Sequence, residues 1–447
     1  MTCKVLRKKM KKFVTKMTAI SCIIATAFST KLPVNAATQN PNLSVHYFNV
    51  GLGTCAIVEK TDTNSKKHYM LIDTGMKRKD SNNKEYALNN VKTWIANERT
   101  KLEQTAQTFK FDYVIISHYD SDHVKNLEEI LNLHNNYGSN KKIDLNDDIP
   151  VDQFIARKYS EATMSTMLKR ESTPHVTYRN YVEFANTVYL SSVHSSDAGN
   201  KTFSKPITFS AKNKTLKTLI AENPSIHKQV SDIAGTKIED AKKQKKLKWI
   251  NPTKNHSFTF ANDVTIKFYS LNNDNSFISK KKNKKEYAEI GYSEAINDDS
   301  LVFKIKYKNS SFWFLNDIKK LGMQELLTKK TKKADFNKSV ILIPHHGIHH
   351  NTITKSIETP FQNSFQNAKI FVRSISKDHA DSHDKDKQKK QYNFMKIFKK
   401  AKLKNKPVLT TYQNYSNPKN TGEINYLTIS TTGKETKKKL YNYTYND

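Results

Sequence analysis

The stretch VIISHYDSDHVKNLEEIL, from Val114 to Leu131, decides the predicted fold. It opens with a short apolar run that is typical of a buried β-strand, and it continues with apolar residues at helical spacing. Between the two patterns, positions 118–123 carry two histidines and two aspartates. Because imidazole and carboxylate are ligands of Zn²⁺, Mn²⁺ and Fe in proteins, the stretch predicts a strand that presents metal ligands at its carboxyl end.

Strand and helix patterns alternate along the rest of the chain. Before this stretch, LSVHYFNVG, TCAIVEK and HYMLIDTG predict strands, and NNVKTWIANERTKLEQ predicts a helix. SDHVKNLEEILNLH predicts one further helix. After it, LVFKIKYKNSSFWFLND predicts a β-hairpin, and SVILIPHHG, KIFVRSIS and PVLTTYQ predict strands. The alternation indicates an α/β layered fold, with the weakest signal at about 141–297, where lysine-rich segments indicate a basic insertion.

Three of the predicted strand ends carry side chains that bind metals. A single histidine or aspartate more often caps a turn, but three clusters that each follow a buried strand favour one shared site. Two divalent ions about 3.5–4 Å apart can activate water and clamp both the attacking and the leaving oxygen of an ester. The pattern therefore predicts a two-metal site. Its candidate ligands are His118, Asp120, Asp122, His123, Asp317, His345 and His346.

The segment SHYDSDH resembles the H-x-[HD]-x-D-H signature of metallo-β-lactamase-fold hydrolases. The order of VHYFNVGLGTCAIVE, LIDTG, NDDSLVFKIKY, FWFLND, ILIPHHG and KDHADSH is similar to that in the hydrolase domain of DNA-uptake competence proteins of the ComEC type. It is also similar to that of secreted phosphorylcholine esterases. The resemblance implies a four-layer αββα sandwich over residues 37–447, with the large basic insertion in its middle.

The resemblance also implies how two divalent ions, zinc or manganese, would be held. His118 and Asp120 would hold one ion, whereas Asp122 and His123 would hold the other. Asp317 would bridge the two ions. Asp120 stands where histidine is common in the wider superfamily, and a carboxylate is a harder ligand that favours Mn²⁺ over Zn²⁺. Asp122 would also orient the attacking hydroxide.

Three later histidines have implied roles that differ. His345 matches the late metal ligand, and His346 would face the substrate phosphate. His383, in KDHADSH, would donate a proton or bind phosphate, with His379 as a rival and an exposed loop histidine as the alternative.

Other positions depart from the family pattern. The usual V-G-Q-G-D has Leu52 and Thr54 in place of its polar Gln and Asp, which predicts a change in metal affinity or substrate choice. The family's third-motif histidine has no clear match, because His175 and His194 are candidates by position alone and neither is favoured.

Residues 1–36 predict a cleaved secretion signal. A basic segment precedes the apolar run TAISCIIATAF, and VNA offers small residues for cleavage before Ala37; a retained N-terminal anchor is the alternative. Cleavage would lower the formal charge from +33 to +25, because the leader has eight Lys/Arg and no acid. It would leave Cys55 alone, expected to be a buried small hydrophobe. No later stretch is long and apolar enough for a membrane helix. With the leader cleaved, we expect a secreted or cell-surface-associated protein. We also expect it to be a monomer.

The positive charge favours a polyanionic partner, such as nucleic acid or a teichoic-acid-like polymer. A lysine-rich coding bias would produce the same charge, so charge alone identifies no substrate. We expect a secreted binuclear metal-dependent hydrolase, a phosphodiesterase that acts on a phosphate-containing polymer or headgroup. The alternatives are an extracellular nuclease that uses the lysine runs at 242–248 and 280–285, and a non-catalytic binding module that retains the fold.

Overall fold

Two mixed β-sheets and several helices make up the part of the chain that this computed structural model describes. That part comprises residues 42–75, 86–133, 148–159, 249–269, 293–348, 355–375, 394–412 and 424–446 with short breaks, together with Ala380 and scattered helical positions between 180 and 191. The predicted leader, and the lysine runs at 242–248 and 280–285, lie outside the described residues.

The strands follow one another in chain order as β1 (Leu43–Phe48), β2 (Ala56–Thr61), β3 (Lys67–Ile72), β4 (Phe111–Ile115), β5 (Val151–Ile155), β6 (Trp249–Ile250), β7 (Ser257–Phe260), β8 (Val264–Phe268), β9 (Phe303–Tyr307), β10 (Ser310–Phe314), β11 (Ser339–Leu342), β12 (Ile370–Arg373), β13 (Val408–Thr410), β14 (Tyr426–Thr431) and β15 (Asn442–Asn446). Every strand predicted from the sequence has a counterpart in this series. The region expected to be an insertion supplies β5 to β8. Of these, β5 and β6 belong to one sheet, and β7 and β8 belong to the other.

Besides the scattered helical positions between 180 and 191, the described residues form the following helices. They are α1 (Tyr86–Glu103), α2 (Ser121–Val124), α3 (Leu127–Ile130), α4 (Ser293–Asp298), α5 (Lys320–Glu325) and α6 (Lys355–Phe365), with a π-helical turn at Leu326–Lys330 and 3₁₀ turns at Lys333–Phe336, Pro344–Gly347 and Phe394–Lys399. Among the described residues, none of these helices is both long and apolar enough to cross a membrane.

Both sheets change from antiparallel to parallel pairing along their width. The first sheet has the order β15-β14-β1-β2-β3-β4-β5-β6, and its pairs are parallel from β3 to β6. The second has the order β13-β12-β11-β10-β9-β8-β7, and its pairs are parallel from β10 to β13. Because parallel strands share a direction, the loops that follow β3 and β4, and those that follow β10, β11 and β12, leave each sheet at one edge.

Apolar residues from the two sheets meet in one hydrophobic cluster. Val45 and Tyr47 of β1 belong to the same buried cluster as Ile305 and Phe314 from the second sheet. The Tyr47 and Phe314 rings stack with their centroids 6.0 Å apart. Side chains alternate along a strand, so Phe48, next to Tyr47, belongs to a second cluster. Full burial of side chains of this size contributes roughly 1.5–3 kcal/mol each, which makes the contact between the sheets a main source of stability.

The second cluster joins helices to the other faces of the sheets. Val91 and Trp94 of α1 lie in it with Phe48, and the Trp94 and Phe48 rings meet edge to face at 6.0 Å. Phe365 of α6 lies in it with Phe371 of β12, and their ring centroids are 6.4 Å apart. The helical spacing of Val91 and Trp94 predicted a helix in this segment, and the structure confirms it as α1.

The single helix predicted from SDHVKNLEEILNLH is wrong in one respect, because the structure divides it into α2 and α3. The break falls at Lys125 and Asn126. Asn126 is buried, and its side-chain amide donates a hydrogen bond to the Thr74 carbonyl at 2.9 Å. A side chain that is tied to the loop after β3 directs the chain out of the helical path at this point.

Candidate metal centre

Five loops meet at the carboxyl ends of the parallel strands. Two of them follow strands of the first sheet and three follow strands of the second, so the site lies where the two sheets' parallel edges adjoin. The residues delivered to it are Asp73 after β3, His118 to His123 after β4, Asp317 after β10, His345 and His346 after β11, and Ser374 after β12.

Four side chains form what we call the central cluster: Asp122, His123, Asp317 and His346, which offer one ligand atom each within 4.8 Å of one another. His123 Nε2 lies 3.2 Å from Asp317 Oδ1 and 3.3 Å from His346 Nε2. His346 Nε2 lies 3.2 Å from Asp122 Oδ2 and 3.4 Å from Asp317 Oδ2. A tetrahedral ion with bonds of about 2.0–2.2 Å separates its ligands by roughly 3.3–3.6 Å. The central cluster can therefore hold a metal ion.

Hydrogen bonds on the far side of each imidazole direct its other nitrogen into the central cluster. His123 Nδ1 lies 2.7 Å from Asp73 Oδ2, and His346 Nδ1 lies 2.9 Å from the Ser374 carbonyl oxygen. Both partners are acceptors, so each Nδ1 carries the proton of the neutral ring. The two Nε2 lone pairs then face the carboxylates, which is the arrangement that metal-binding histidines adopt.

The carboxylates of the central cluster stabilise a positive charge on its two imidazoles, and the pKa values show this. Burial opposes protonation of His346, but the Asp317 and Asp122 carboxylates outweigh it and raise the pKa of His346 to about 9. Burial likewise opposes protonation of His123, whose pKa the Asp317, Asp73 and Asp122 carboxylates raise well above its usual value. In the other direction, His123 and His346 hold the pKa values of Asp122 and Asp317 below the ordinary range despite burial.

Asp317 Oδ1 provides a direct test of whether a cation fits. When His123 is neutral and carries its proton on Nδ1, this buried oxygen accepts no hydrogen bond from the residues that the structure describes, and His123 Nε2 lies 3.2 Å away. An unsatisfied buried carboxylate oxygen is costly unless it is paired with a charge. A divalent ion between the two atoms would satisfy both, so the donor set fits a metal.

Asp73 is a member of the site that sequence reasoning missed. It is fully buried, and besides His123 it accepts hydrogen bonds from the Ser117 backbone N–H at 2.7 Å and from the Ser117 hydroxyl at 2.8 Å. Its backbone φ is 52°, an uncommon value for a residue other than glycine. A signal was present, because the motif LIDTG places Asp73 at the end of a strand beside β4.

The VGLGT segment reaches the central cluster through its backbone. Gly53 has a φ of +119°, and a Cβ built there would lie 2.0 Å from the Asp122 carbonyl oxygen. The neighbouring Thr54 N–H donates to that same oxygen at 3.3 Å. The backbone of Gly53 and Thr54 therefore packs against the Asp122 backbone and supports its position.

The turn after β11 decides which of two adjacent histidines enters the central cluster. His345 and His346 have φ values of 48° and 54°, so both lie in the left-handed region, which costs of order 1–3 kcal/mol each. The His345 N–H donates to the Asn316 carbonyl at 2.8 Å, and Arg373 Nε donates to the His346 carbonyl at 3.0 Å. These bonds hold the turn so that His346 points into the central cluster.

His345, expected from the sequence to be the metal ligand, lies at the rim. Its Nε2 is 3.8 Å from Asp317 Oδ2, and its side chain is 11% exposed. His346, expected to face the substrate, is instead one of the four converging groups. The structure thus brings both histidines to the same site, and His346 rather than His345 belongs to the four converging groups.

His118 and Asp120, which we call the outer pair, adjoin the central cluster without belonging to it. The His118 and His123 ring centroids are 4.2 Å apart, and His118 Nε2 lies 3.6 Å from Asp120 Oδ2. The Asn297 side chain, which sequence reasoning also missed, lies against both members of the pair. The other histidines considered from the sequence, His175, His194, His379 and His383, lie outside the described residues.

A scan against protein-family models finds no match to this chain, and a search of curated proteins finds none either. The site is accordingly defined by its own geometry. It is a buried group of two histidines and two aspartates, held at the ends of parallel strands, with ligand atoms close enough to share a metal ion.

Proposed function

We propose that this chain is a metal-dependent hydrolase of phosphodiesters with the four-layer αββα fold that the sequence resemblance implies. The observation that carries the proposal is the central cluster, whose four ligand atoms converge while the far side of each imidazole is hydrogen-bonded. Such outer hydrogen bonds orient metal ligands in hydrolases and would have no purpose in simple turn caps.

The packing supports the proposed fold. The inner faces of the sheets share one hydrophobic cluster, whereas α1 and α6 contribute to another with residues of the opposite faces. A helix layer outside each of two stacked sheets is what a four-layer sandwich requires. A site at the carboxyl edges of the parallel strands is the usual place for ligands in layered α/β folds.

Zinc and manganese both suit the donor set of two imidazoles and two carboxylates. When bound, the ion would polarise a phosphoryl oxygen and lower the pKa of a nearby water. Asp122 is the most exposed member of the central cluster, with 18% of its side chain accessible, so its carboxylate would orient the attacking water. His345, on the rim, would donate a hydrogen bond to a phosphate oxygen.

A phosphodiester is the proposed substrate because the chain has a formal charge of +33 and the motifs resemble those of enzymes that act on phosphate esters. A cationic protein raises the local concentration of polyanionic substrates. The substrate class we favour is a phosphate-containing polymer or headgroup outside the cell. Nucleic acid is the competing polyanion, and the assay below distinguishes the two.

The test begins with elemental analysis of the purified chain, followed by assays on bis-p-nitrophenyl phosphate, p-nitrophenyl phosphorylcholine and plasmid DNA. Asp122→Ala should lower turnover by at least about 100-fold, because the variant loses both a ligand and the group that orients water. Asp152→Ala is the matched control and should leave turnover unchanged, since Asp152 is an exposed carboxylate paired with Lys110 at the amino-terminal end of β5, away from the carboxyl ends that carry the site.

The outcomes separate the candidate functions. Bound metal together with cleavage of the small phosphodiesters supports the proposal. Cleavage of plasmid DNA alone would replace it with a nuclease. A wild-type protein that binds no metal and cleaves none of the substrates would refute the hydrolase and favour a non-catalytic module.

A further inference from the structure

An amide side chain lies directly against His118 and Asp120 of the outer pair, and a lysine lies beside that amide. The central cluster has no such neighbours among the described residues. The Asn297 side-chain amide lies between His118 and Asp120, and Lys319 lies behind it. Asn297 and Lys319 are both buried, with 5% and 4% of their surfaces exposed. A buried lysine beside a set of metal-type ligands is unexpected, because its ammonium group repels a cation.

Lys319 determines the orientation of the Asn297 amide. Its Nζ lies 3.1 Å from one terminal atom of the amide, and the other terminal atom lies 3.0 Å from Asp120 Oδ2 and 3.2 Å from His118 Nε2. Hydrogen bonding assigns the oxygen to the atom beside the lysine and the NH₂ group to the atom beside the outer pair. The reverse orientation would bring the amide NH₂ against the ammonium group and the amide oxygen against a carboxylate. Both of those contacts are repulsive, so the first orientation is the stable one.

This orientation engages two of the atoms that a second ion would need, Asp120 Oδ2 and His118 Nε2. The amide N–H groups face the Asp120 oxygen and the His118 nitrogen, whose lone pairs would otherwise bind metal. An amide nitrogen has no free lone pair and cannot replace them. The Lys319 ammonium adds a positive charge on the other side of the same amide, with Nζ 3.1 Å from the atom assigned as the amide oxygen. The central cluster differs in each respect, since its lone pairs face one another and no lysine contact accompanies them in the described residues.

We infer that this chain binds a single divalent ion, in the central cluster, and that the Asn297 amide and the Lys319 ammonium take the place of a second ion at the outer pair. The inference rests on the proposed metal-dependent function and narrows it. The sequence resemblance implied two ions, and the residues around His118 and Asp120 do not fit the second. Lys319 acts through Asn297 and is therefore a positioning residue. Its ammonium group holds the amide oxygen, so that the amide N–H groups face the outer pair.

The experiment measures ions per chain rather than activity. The purified full chain is stripped with a chelator, loaded with Mn²⁺, desalted and analysed for manganese, and its electron paramagnetic resonance spectrum is recorded. Wild type should hold one ion per chain, with the spectrum of an isolated Mn²⁺. Lys319→Met removes the charge and keeps the length of the side chain. It frees the amide to turn its oxygen toward the outer pair, so this variant should hold two ions with a spin-coupled spectrum.

Two further variants complete the test. Lys320→Met, a lysine change one residue away, is the matched control and should stay at one ion. Asn297→Asp is nearly isosteric and adds a carboxylate ligand, so it also should hold a second ion even if Lys319→Met does not fold. Circular dichroism confirms that each variant is folded.

The outcomes are distinguishable. Two ions in the wild-type protein would overturn the inference and leave the proposed hydrolase intact. One ion in wild type and in every folded variant would overturn the role given to Asn297 and Lys319. No ion in wild type would refute the proposed metal-dependent function itself. One ion in wild type and two in the variants supports the inference.

Discussion

The central cluster and the outer pair lie side by side, yet they differ in what surrounds their lone pairs. In the central cluster, Asp73 and the Ser374 carbonyl hold the imidazoles from behind, so the free nitrogens converge on two carboxylates. At the outer pair, the Asn297 amide faces the free nitrogen and oxygen directly, with Lys319 behind it. Residues of one six-residue turn thus provide ligands with different environments. Neighbours from other strands decide which of them can hold an ion.

The largest effect should come from removing a charge that faces both imidazoles. We expect Asp317→Asn to weaken metal binding by more than about 100-fold, since loss of an outer hydrogen-bond partner alone costs 10–100-fold. His118→Gln, the matched change in the outer pair, should alter the affinity by less than about threefold, because His118 faces an amide rather than an ion. Isothermal titration calorimetry with Mn²⁺ measures both, and equal losses in the two variants would abolish the distinction between the regions.

A smaller effect should follow from changing the group behind His123. Asp73→Asn keeps the shape of the side chain but weakens the hydrogen bond that orients the imidazole and supports its basicity. We expect a 10–100-fold loss of metal affinity and a lower midpoint of thermal unfolding, because Asp73 also accepts two hydrogen bonds from Ser117. An unchanged dissociation constant would show that the backbone alone positions His123.

Metal affinity should also depend on pH in a defined direction. The pKa of His346 is raised to about 9, so in the metal-free protein at neutral pH this imidazole carries a second proton, on Nε2, beside the one on Nδ1. The proton must leave before Nε2 can bind an ion, and apparent affinity should therefore rise with pH up to about 9, by up to about tenfold per pH unit for each proton released. Calorimetry in buffers of different ionisation enthalpy measures the protons released, and release of none at pH 7 would contradict the expectation.

The same shift predicts the stability of the metal-free protein. A pKa raised on folding contributes stability that is fully present below the unfolded value of about 6.5 and is lost as pH rises through the folded value. The thermal unfolding temperature of the metal-free protein should therefore decrease as the pH rises from 7 to 9. Saturating metal should remove most of this pH dependence. Differential scanning calorimetry with and without Mn²⁺ measures the difference.

The smallest effect should come from the histidine at the rim. His345→Ala should change metal affinity by less than about threefold, because its Nε2 lies 3.8 Å from Asp317 and outside the four converging atoms. Its turnover should fall if His345 binds the phosphate. His346→Ala is the paired comparison and should lose metal. The opposite ranking of the two variants would restore the assignment made from the sequence.

Local patterns carried much of the fold. The apolar run before His118 predicted β4, and the helical spacing of Val91 and Trp94 predicted α1, because burial on one face leaves its period in the sequence. The break between α2 and α3 was not foreseen. It depends on the hydrogen bond from Asn126 to Thr74, and such a contact between distant residues leaves no periodic signal.

By itself, the sequence determined which strand ends carry imidazole and carboxylate groups, since both the strand signal and the residue types are local properties. Only the tertiary structure decided their division of labour. It placed Asp73 behind His123, turned His346 rather than His345 into the central cluster, and set Asn297 and Lys319 against the outer pair. These relations join residues that are either adjacent in a turn with left-handed backbone or far apart in the chain. They arise because parallel strands from two sheets end at one edge, where spacing along the chain no longer reports distance.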